Sequence, residues 1–405
     1  MTGLRISIGG VTDGIARQRF LGKGGLIALI VLQSMVFPIS SDLFIPALPG
    51  MTEALGTEQS VATLSVTLFF LFMAVGMLLF GPISDKFGRK PVAVGCAAAS
   101  VLFCIGCAAA PSIGVVLAFR SLHGLTGGGV AAISMALVKD CFEGDALRSA
   151  ISVTQAMSLV APLVAPLLGA GILQFGDWRT EFIALVVLMA VVLAFSLFLT
   201  EPLAQEDRVQ GNVGEALMGI VRFARNRLFI GFVIFCGAIT ATHMAFIAIA
   251  SYVFIDFFGT STTVFGIAFA IASVAAIAGP LVYMRAKSLS FSSSCKAMLV
   301  AVPVCGVAML LLGGTSAVAF LIIIMPCIFW TTFARASVSN ELLSRTDRNI
   351  GAASSFINFM NVGIGCFGMF AMSLDVGNDI LLIAVIMLIA SVVAAGGWLI
   401  GRKEL

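Results

Sequence analysis

The sequence predicts an all-α polytopic membrane protein: twelve transmembrane helices in two six-helix bundles, with both termini cytoplasmic. Three observations predict it. Charged residues make up 11% of the 405 and hydrophobic ones 60%, with a mean hydropathy of +1.11, where a soluble domain carries roughly a quarter charged residues. The apolar residues fall in runs long enough to cross a bilayer, separated by charged segments. Of the 23 Lys and Arg, all but Arg120 and Arg179 are expected on one face, which the positive-inside rule makes cytoplasmic. The opposite face holds Glu53, Glu58, Asp177 and Asp375. The net charge of +3 comes from loops and gives no reason to expect a nucleic-acid partner.

The arm 1–23 carries Arg5, Arg17, Arg19 and Lys23 against Asp13 and is expected to stay inside. It is too polar for a cleavable signal, and the apolar run after it is long enough to span. Spans are expected at 24–48, 60–80, 92–110, 113–138, 148–173 and 182–200. The turn at 81–91, GPISDKFGRKP, packs Asp85, Lys86, Arg89 and Lys90 into six residues. Such a segment cannot lie in hydrocarbon, so it is expected as a loop between two helices, and its cationic excess places it inside. Gly81 and Gly88 are expected to let its backbone turn sharply and approach a neighbouring helix.

Residues 201–227 form the longest polar stretch and are expected to link an N-terminal bundle, 1–200, to a C-terminal one, 228–405. Spans recur at 228–256, 263–284, 296–314, 317–338, 351–373 and 380–400. The second-half counterpart of the charged turn, RAKSLSFSSSCK at 285–296, has three positive charges and no acid. Two six-span halves on a cytoplasmic linker predict a transporter with its substrate site between them at mid-membrane. Of the nine cysteines, Cys96, Cys104, Cys107, Cys236, Cys305, Cys327 and Cys366 sit in apolar runs, where a thiol is a small packing residue. Cys141 and Cys295 lie at expected cytoplasmic ends, in a reducing compartment.

Asp42 sits in the outer part of the first span, in SSDLFIPALPG. A carboxylate within a span faces a cavity or a partner, so Asp42 is read as a proton-titrating site that can also attract a cation. The alternative is a solvated or capping residue at the membrane edge, since Pro46 and Pro49 end the helix soon after. Arg120, in FRSLHGLTGGG, lies deeper and needs a carboxylate, a carbonyl or substrate as acceptor. Asp42 is expected as the only comparable acid in the N-terminal half. His123 shares the face of Arg120 one turn away and is read as a proton relay or a packed polar contact. Gly124, Gly127, Gly128 and Gly129 allow close helix packing; they make no phosphate loop, because no strand precedes them and no Lys-Ser/Thr follows. Pro162, Pro166 and Gly169, in APLVAPLLG, mark a bend in the fifth span. Phe44, Met73, His243, Phe246, Trp330, Asn358 and Asn361 are candidate cavity residues. Neither histidine has companions at metal-ligand spacing, so no metal or other cofactor is expected. No enzymatic constellation is present.

At these residues the chain resembles the major facilitator superfamily. Gly81-Pro-Ile-Ser-Asp85-Lys86-Phe-Gly88-Arg89-Lys90 matches that family's G-x-x-x-D-[RK]-x-G-R-[RK] motif at every fixed place. Asp42–Pro49 resembles the D-x-Y-x-P-x-x-P segment of Bcr/CflA-type drug:proton antiporters, and Arg120 with Gly124 their fourth-span R-x-x-x-G. Pro162–Gly169 resembles their fifth-span antiporter motif and Trp178-Arg179 their W-[RQ] outer loop. The resemblance implies alternating-access export of small amphipathic compounds in exchange for protons, from a bacterial inner membrane. It implies that 81–90 is a conformational latch, in which Asp85 pairs with a cation and caps a helix end, while Arg89 reaches an acid near the sixth span, with Glu201 as candidate. Asp42 would carry the proton and Arg120 tune it. The chain departs from the pattern at His123, where Gln is common, at Phe44 in place of Tyr, and at Ala165-Pro166 in place of Gly-Pro. With one intramembrane acid, neutral or monocationic substrates are expected. The rivals are a dedicated metabolite exporter (sugar, nucleoside or siderophore) and a non-transporting membrane receptor. The expected partners are a small molecule, protons and the lipid bilayer, with the protein a monomer.

Overall fold

The computed structural model describes residues 11–12, 15–16, 18–208, 213–285, 290–346, 350–374 and 376–404. Arg5, Asp13, Arg17, Lys287 and Asp375 lie outside the described residues. Among the described residues, twelve helices are long and apolar enough to cross a membrane. The first span is α1 (Gly22–Asp42), a 3-10 turn (Ile45–Ala47) and α2 (Leu48–Ala54). It is followed by α3 (Gln59–Phe87), α4 (Arg89–Ala108), α5 (Ile113–Cys141), α6 (Gly144–Ile172) and α7 (Trp178–Phe198). A short α8 (Val213–Val221) lies in the linker. The second half comprises α9 (Arg227–Ser251) with a π-helical turn (Tyr252–Phe257), α10 (Thr262–Arg285), α11 (Phe291–Leu312), α12 (Ala317–Ser344), α13 (Ile350–Met372) and α14 (Asp379–Gly401). All nine cysteines are buried and free.

The two halves repeat one packing scheme. In the first, α1 packs on α6, α3 on α5 and α4 on α7; in the second, the equivalent pairs are α9 on α13, α10 on α12 and α11 on α14. The two most extensive contacts between the halves, α3 with α13 and α6 with α10, also exchange under the repeat. Small residues explain the closest pair. A Cβ at Gly124 would run into the carbonyl oxygen of Phe69, and one at Gly128 into that of Met73, so α5 lies backbone to backbone against α3.

The α6–α10 contact includes one polar point. Pro166 lacks an N–H, which orphans the carbonyl of Pro162 four residues earlier. Ser273 of α10 shares its hydroxyl proton between that carbonyl at 3.2 Å and the Phe269 carbonyl of its own helix at 2.9 Å. Pro38 does the same within the first half, where Ser158 of α6 donates to the freed carbonyl of Ser34 at 3.4 Å.

Several expectations need correction. The segment 81–91 is not a loop: α3 runs on through Phe87, and the turn is Gly88 alone, at φ +101°, a conformation that needs glycine. Gly81 is helical and makes no close approach. Asp85, Lys86 and their neighbours are compatible with helix, so the helix simply continues past the hydrocarbon. Within 201–227, the short α8 packs on α3 and α13. Arg335, counted with the cytoplasmic cations, is exposed but lies inside the span formed by α12.

Candidate functional site

The first span stops being a regular helix at Asp42, with Pro38 inside its last turns. The chain then folds into the Ile45–Ala47 turn, which packs on α6, α9 and α10. Asp42 is therefore not at a solvated edge; it is 6% exposed and accepts a hydrogen bond from Ser41 Oγ at 2.7 Å.

Arg120 is fully buried. Its Nη1 donates to the carbonyl of Ser40 at 3.0 Å, and the guanidinium lies 4.1 Å from the ring centre of Phe69, 5.1 Å from Phe44 and 5.8 Å from Phe182. Stacking suits a planar, weakly hydrated cation. No ion pair joins Arg120 to Asp42 among the described residues. His123 shares the face, as its spacing requires: its ring meets Phe69 at 5.3 Å, and its Nε2 lies 3.5 Å from Cys104 Sγ.

The expectation that Asp42 is the only acid here fails. Glu181, in the first turn of α7, is fully buried, neither of its oxygens has a hydrogen-bond partner, and it lies within electrostatic reach of Arg120. A span begun at 182 leaves it outside. The signal was present in the sequence, because Trp178, Phe182, Leu185, Met189 and Val192 form the buried stripe of α7 and Glu181 falls on that stripe by helical spacing. Gly169 of α6 makes room for it: a Cβ there would meet the Leu43 carbonyl and stand 3.1 Å from Glu181 Oε1. Arg179, expected in a loop, is in the same first turn and donates to the carbonyls of Ala108 and Ala110, both at 2.8 Å, closing the end of α4.

At the other end of the half, the charged turn forms one cluster. Arg89 is 7% exposed. Its guanidinium bonds Asp140 at the end of α5, Asp85 and Ser84, each at 2.6 Å. Glu201 has a different task from the one expected: its two oxygens accept the backbone N–H groups of Arg89 at 2.8 Å and Lys90 at 2.9 Å. It thus caps α4, where free N–H groups favour an anion. Asp85 pairs with Arg89 but caps no helix. Lys86 lies over the Phe87 ring at 5.9 Å.

The candidate cavity residues divide. Phe44, Met73 and Phe246 belong to one continuous apolar core and are at most 1% exposed. Trp330 joins a separate cluster with Phe329 and Phe333. His243 stacks on Phe246 at 6.5 Å and lies within electrostatic reach of Arg335. Asn358 is half-buried, and Asn361 is buried beside Cys236.

The halves meet again at the end opposite the linker. Thr52 Oγ1 and Tyr252 Oη are 2.7 Å apart, Gln59 donates to Asp379 at 2.7 Å, and Gln174 to Thr263 at 3.5 Å. Above them lies a polar hollow of about 480 Å³, lined by Glu53, Gln59, Tyr252 and Asp256 among others.

A family model described as Major Facilitator Superfamily matches residues 30–369. The chain is 30% identical over 263 residues to the MFS-type transporter YdgK of Bacillus subtilis (strain 168), covering 64% of this chain and 65% of that one. It is 29% identical over 247 residues to a bicyclomycin resistance protein homolog of Haemophilus influenzae, covering 59% and 61%. It is 32% identical over 172 residues to a chloramphenicol resistance protein of Pseudomonas aeruginosa, covering 42% and 41%. Each of these matches spans less than two thirds of the relative's length. Among solved structures, a D-xylose-proton symporter superposes with a TM-score of 0.68 at 14% identity, over 91% of this chain and 96% of that one. An inward-facing bacterial homolog of the lysosomal transporter Spinster does so at 0.75 and 14%, over 94% and 96%.

Proposed function

The chain belongs to the Major Facilitator Superfamily, and from that premise we propose that it is a proton-coupled efflux transporter. In this reading it exports small amphipathic, neutral or monocationic compounds by alternating access, as a monomer in a bacterial cytoplasmic membrane with both termini inside. Residues 1–200 and 228–405 are the two rocking units and 201–227 the tether between them. Relatives named for bicyclomycin, chloramphenicol and multidrug resistance support export of drug-like compounds.

The observation that carries the reading is the position of Asp42. It is a buried acid at the residue where the first span breaks, and the turn that follows packs on α9 and α10 of the other half. Gain or loss of a proton there acts directly on the contact between halves. Asp42 carries the proton, Arg120 tunes it, and His123 is a polar contact of the same face. The Arg89–Asp85–Asp140 cluster with Glu201 supports a latch role for Gly81–Lys90: it ties the α3–α4 turn to the ends of α5 and α7. The segment Pro162–Gly169 is the bending element against α10.

The test is proton movement in respiring everted vesicles on addition of chloramphenicol, for wild type and Asp42→Asn. The expected outcome is drug-dependent proton release in wild type, absent from the variant at equal protein level. Release that persists in Asp42→Asn moves the proton elsewhere. No release with any drug tested favours a dedicated metabolite exporter on the same fold.

A further inference from the structure

A guanidinium buried in a membrane interior without a counter-charge is strongly unfavourable, and one carbonyl does not balance its charge. Asp42 does not supply that balance here, because its hydrogen-bond partner is Ser41 and no ion pair joins it to Arg120. Glu181 stands in the better place. Its neighbour Phe182 lies against the Arg120 guanidinium, and its carboxylate sits where Gly169 and the Leu43 carbonyl meet. Nε and Nη2 of Arg120 and both oxygens of Glu181 are buried without hydrogen-bond partners. These are two unused donors and two unused acceptors in one buried region, and buried polar atoms rarely stay unpaired. Direct closure, or a bridging water, satisfies all four.

We propose that Glu181 is the standing counter-charge of Arg120, a positioning residue that leaves Asp42 as the one exchangeable acid of the site. The inference rests on the reading of Asp42 as proton carrier and deepens it. Two carboxylates against one guanidinium leave a single negative charge, which one proton or one monocation balances. A second buried acid thus does not widen the substrate class to dications.

The other ionisable groups are accounted for. Arg120 and His123 face this space from α5, Cys104 and Cys107 from α4, and Asp42 closes α1. On α2, Glu53 lines the outer hollow instead. Beyond Arg148, α6 has no ionisable side chain. On α7 itself, Asp177 caps the helix and Arg179 binds the end of α4.

The test is infrared titration of the protonated-carboxyl stretch in purified protein in lipid nanodiscs, which needs no substrate. In the wild-type minus Asp42→Asn difference spectrum, where the other acids of the chain are common to both and cancel, one titrating carboxyl is expected. Glu181→Gln is expected to keep that band but move its midpoint to lower pH by about one unit or more, a tenfold change in proton affinity, because the unbalanced guanidinium then holds Asp42 ionised. Glu181→Asp, which keeps the charge, restores the midpoint. The proposal is overturned if Glu181→Gln deletes a titrating band of its own or leaves the midpoint unmoved. If Glu181→Gln does not accumulate, Glu181→Gln/Arg120→Gln decides: folded protein recovered in the double variant supports charge balance, and loss in both overturns it. A difference spectrum without that band strikes the proton assignment of Asp42 instead, and Glu181 is then judged by the shift of whichever carboxyl titrates.

Discussion

Arg120 shows how one side chain joins three elements. Its hydrogen bond reaches the end of α1, and its flat faces meet Phe44, Phe69 and Phe182 from the first span, α3 and α7. A lysine keeps the charge but loses the plane and the fork of donors. Stacked cations are worth ~1–2 kcal/mol when desolvated, so Arg120→Lys is expected to lower drug transport about tenfold at unchanged membrane level. Vesicle transport normalised to protein amount checks this. Wild-type rates in the variant would mean that only the charge matters. The need for an acceptor at Arg120 was legible in the sequence. Glu181 was not, because it stands directly after a polar turn, and a span begun at 182 leaves it out.

At the scale of elements, α3 and α5 depend on absent side chains. A Cβ at Gly128 meets the Met73 backbone, whereas one at Gly127 meets nothing within 4 Å. Gly128→Ala is therefore expected to lower the thermal unfolding midpoint, at an overpacking cost of ~1–3 kcal/mol. Gly127→Ala should be neutral or slightly stabilising, since alanine is the better helix former by ~1 kcal/mol. Thermal unfolding of both variants in one detergent checks the pair; equal shifts would discard the close-packing account. The glycine cluster announced close packing, but which glycine touches which carbonyl depends on the rotation of α5 against α3. The same limit applies to the Gly81–Lys90 turn. Its charges point to a loop because they cannot lie in hydrocarbon, yet a helix can carry charges past the membrane boundary, and only Gly88 has to turn.

For the whole molecule, the contacts between halves at the end opposite the linker must break for that end to open. Thr52 and Tyr252 meet there, hydroxyl to hydroxyl. Thr52→Cys/Tyr252→Cys, bridged by a bifunctional methanethiosulfonate reagent long enough to replace the lost tyrosine ring, is expected to lose transport and regain it with reductant, while each single variant is unaffected by either; a direct disulfide is too short for this pair. The native cysteines do not interfere, because all nine are buried. Transport that survives a verified cross-link would show that this end stays shut throughout the cycle. The π-helical turn at Tyr252–Phe257 belongs to this scale: it continues α9 and begins at the residue that meets Thr52, and such turns recur at functional sites.

The sequence by itself determined the twelve spans, since a long apolar helix satisfies its own backbone groups in hydrocarbon, and it marked the polar stretch 201–227 as the longest break in their run. It also marked Asp42, Arg120 and Arg89 as residues needing partners, because charge at such places is costly. The partners themselves were decided by tertiary structure. Arg89 meets Asp140 and leaves Glu201 to cap α4; Arg120 takes the Ser40 carbonyl and faces Glu181; Ser273 finds the carbonyl that Pro166 freed. Each of these depends on how one helix is rotated and shifted against another. That is set by the packing of all the faces at once, and no spacing along a single helix records it.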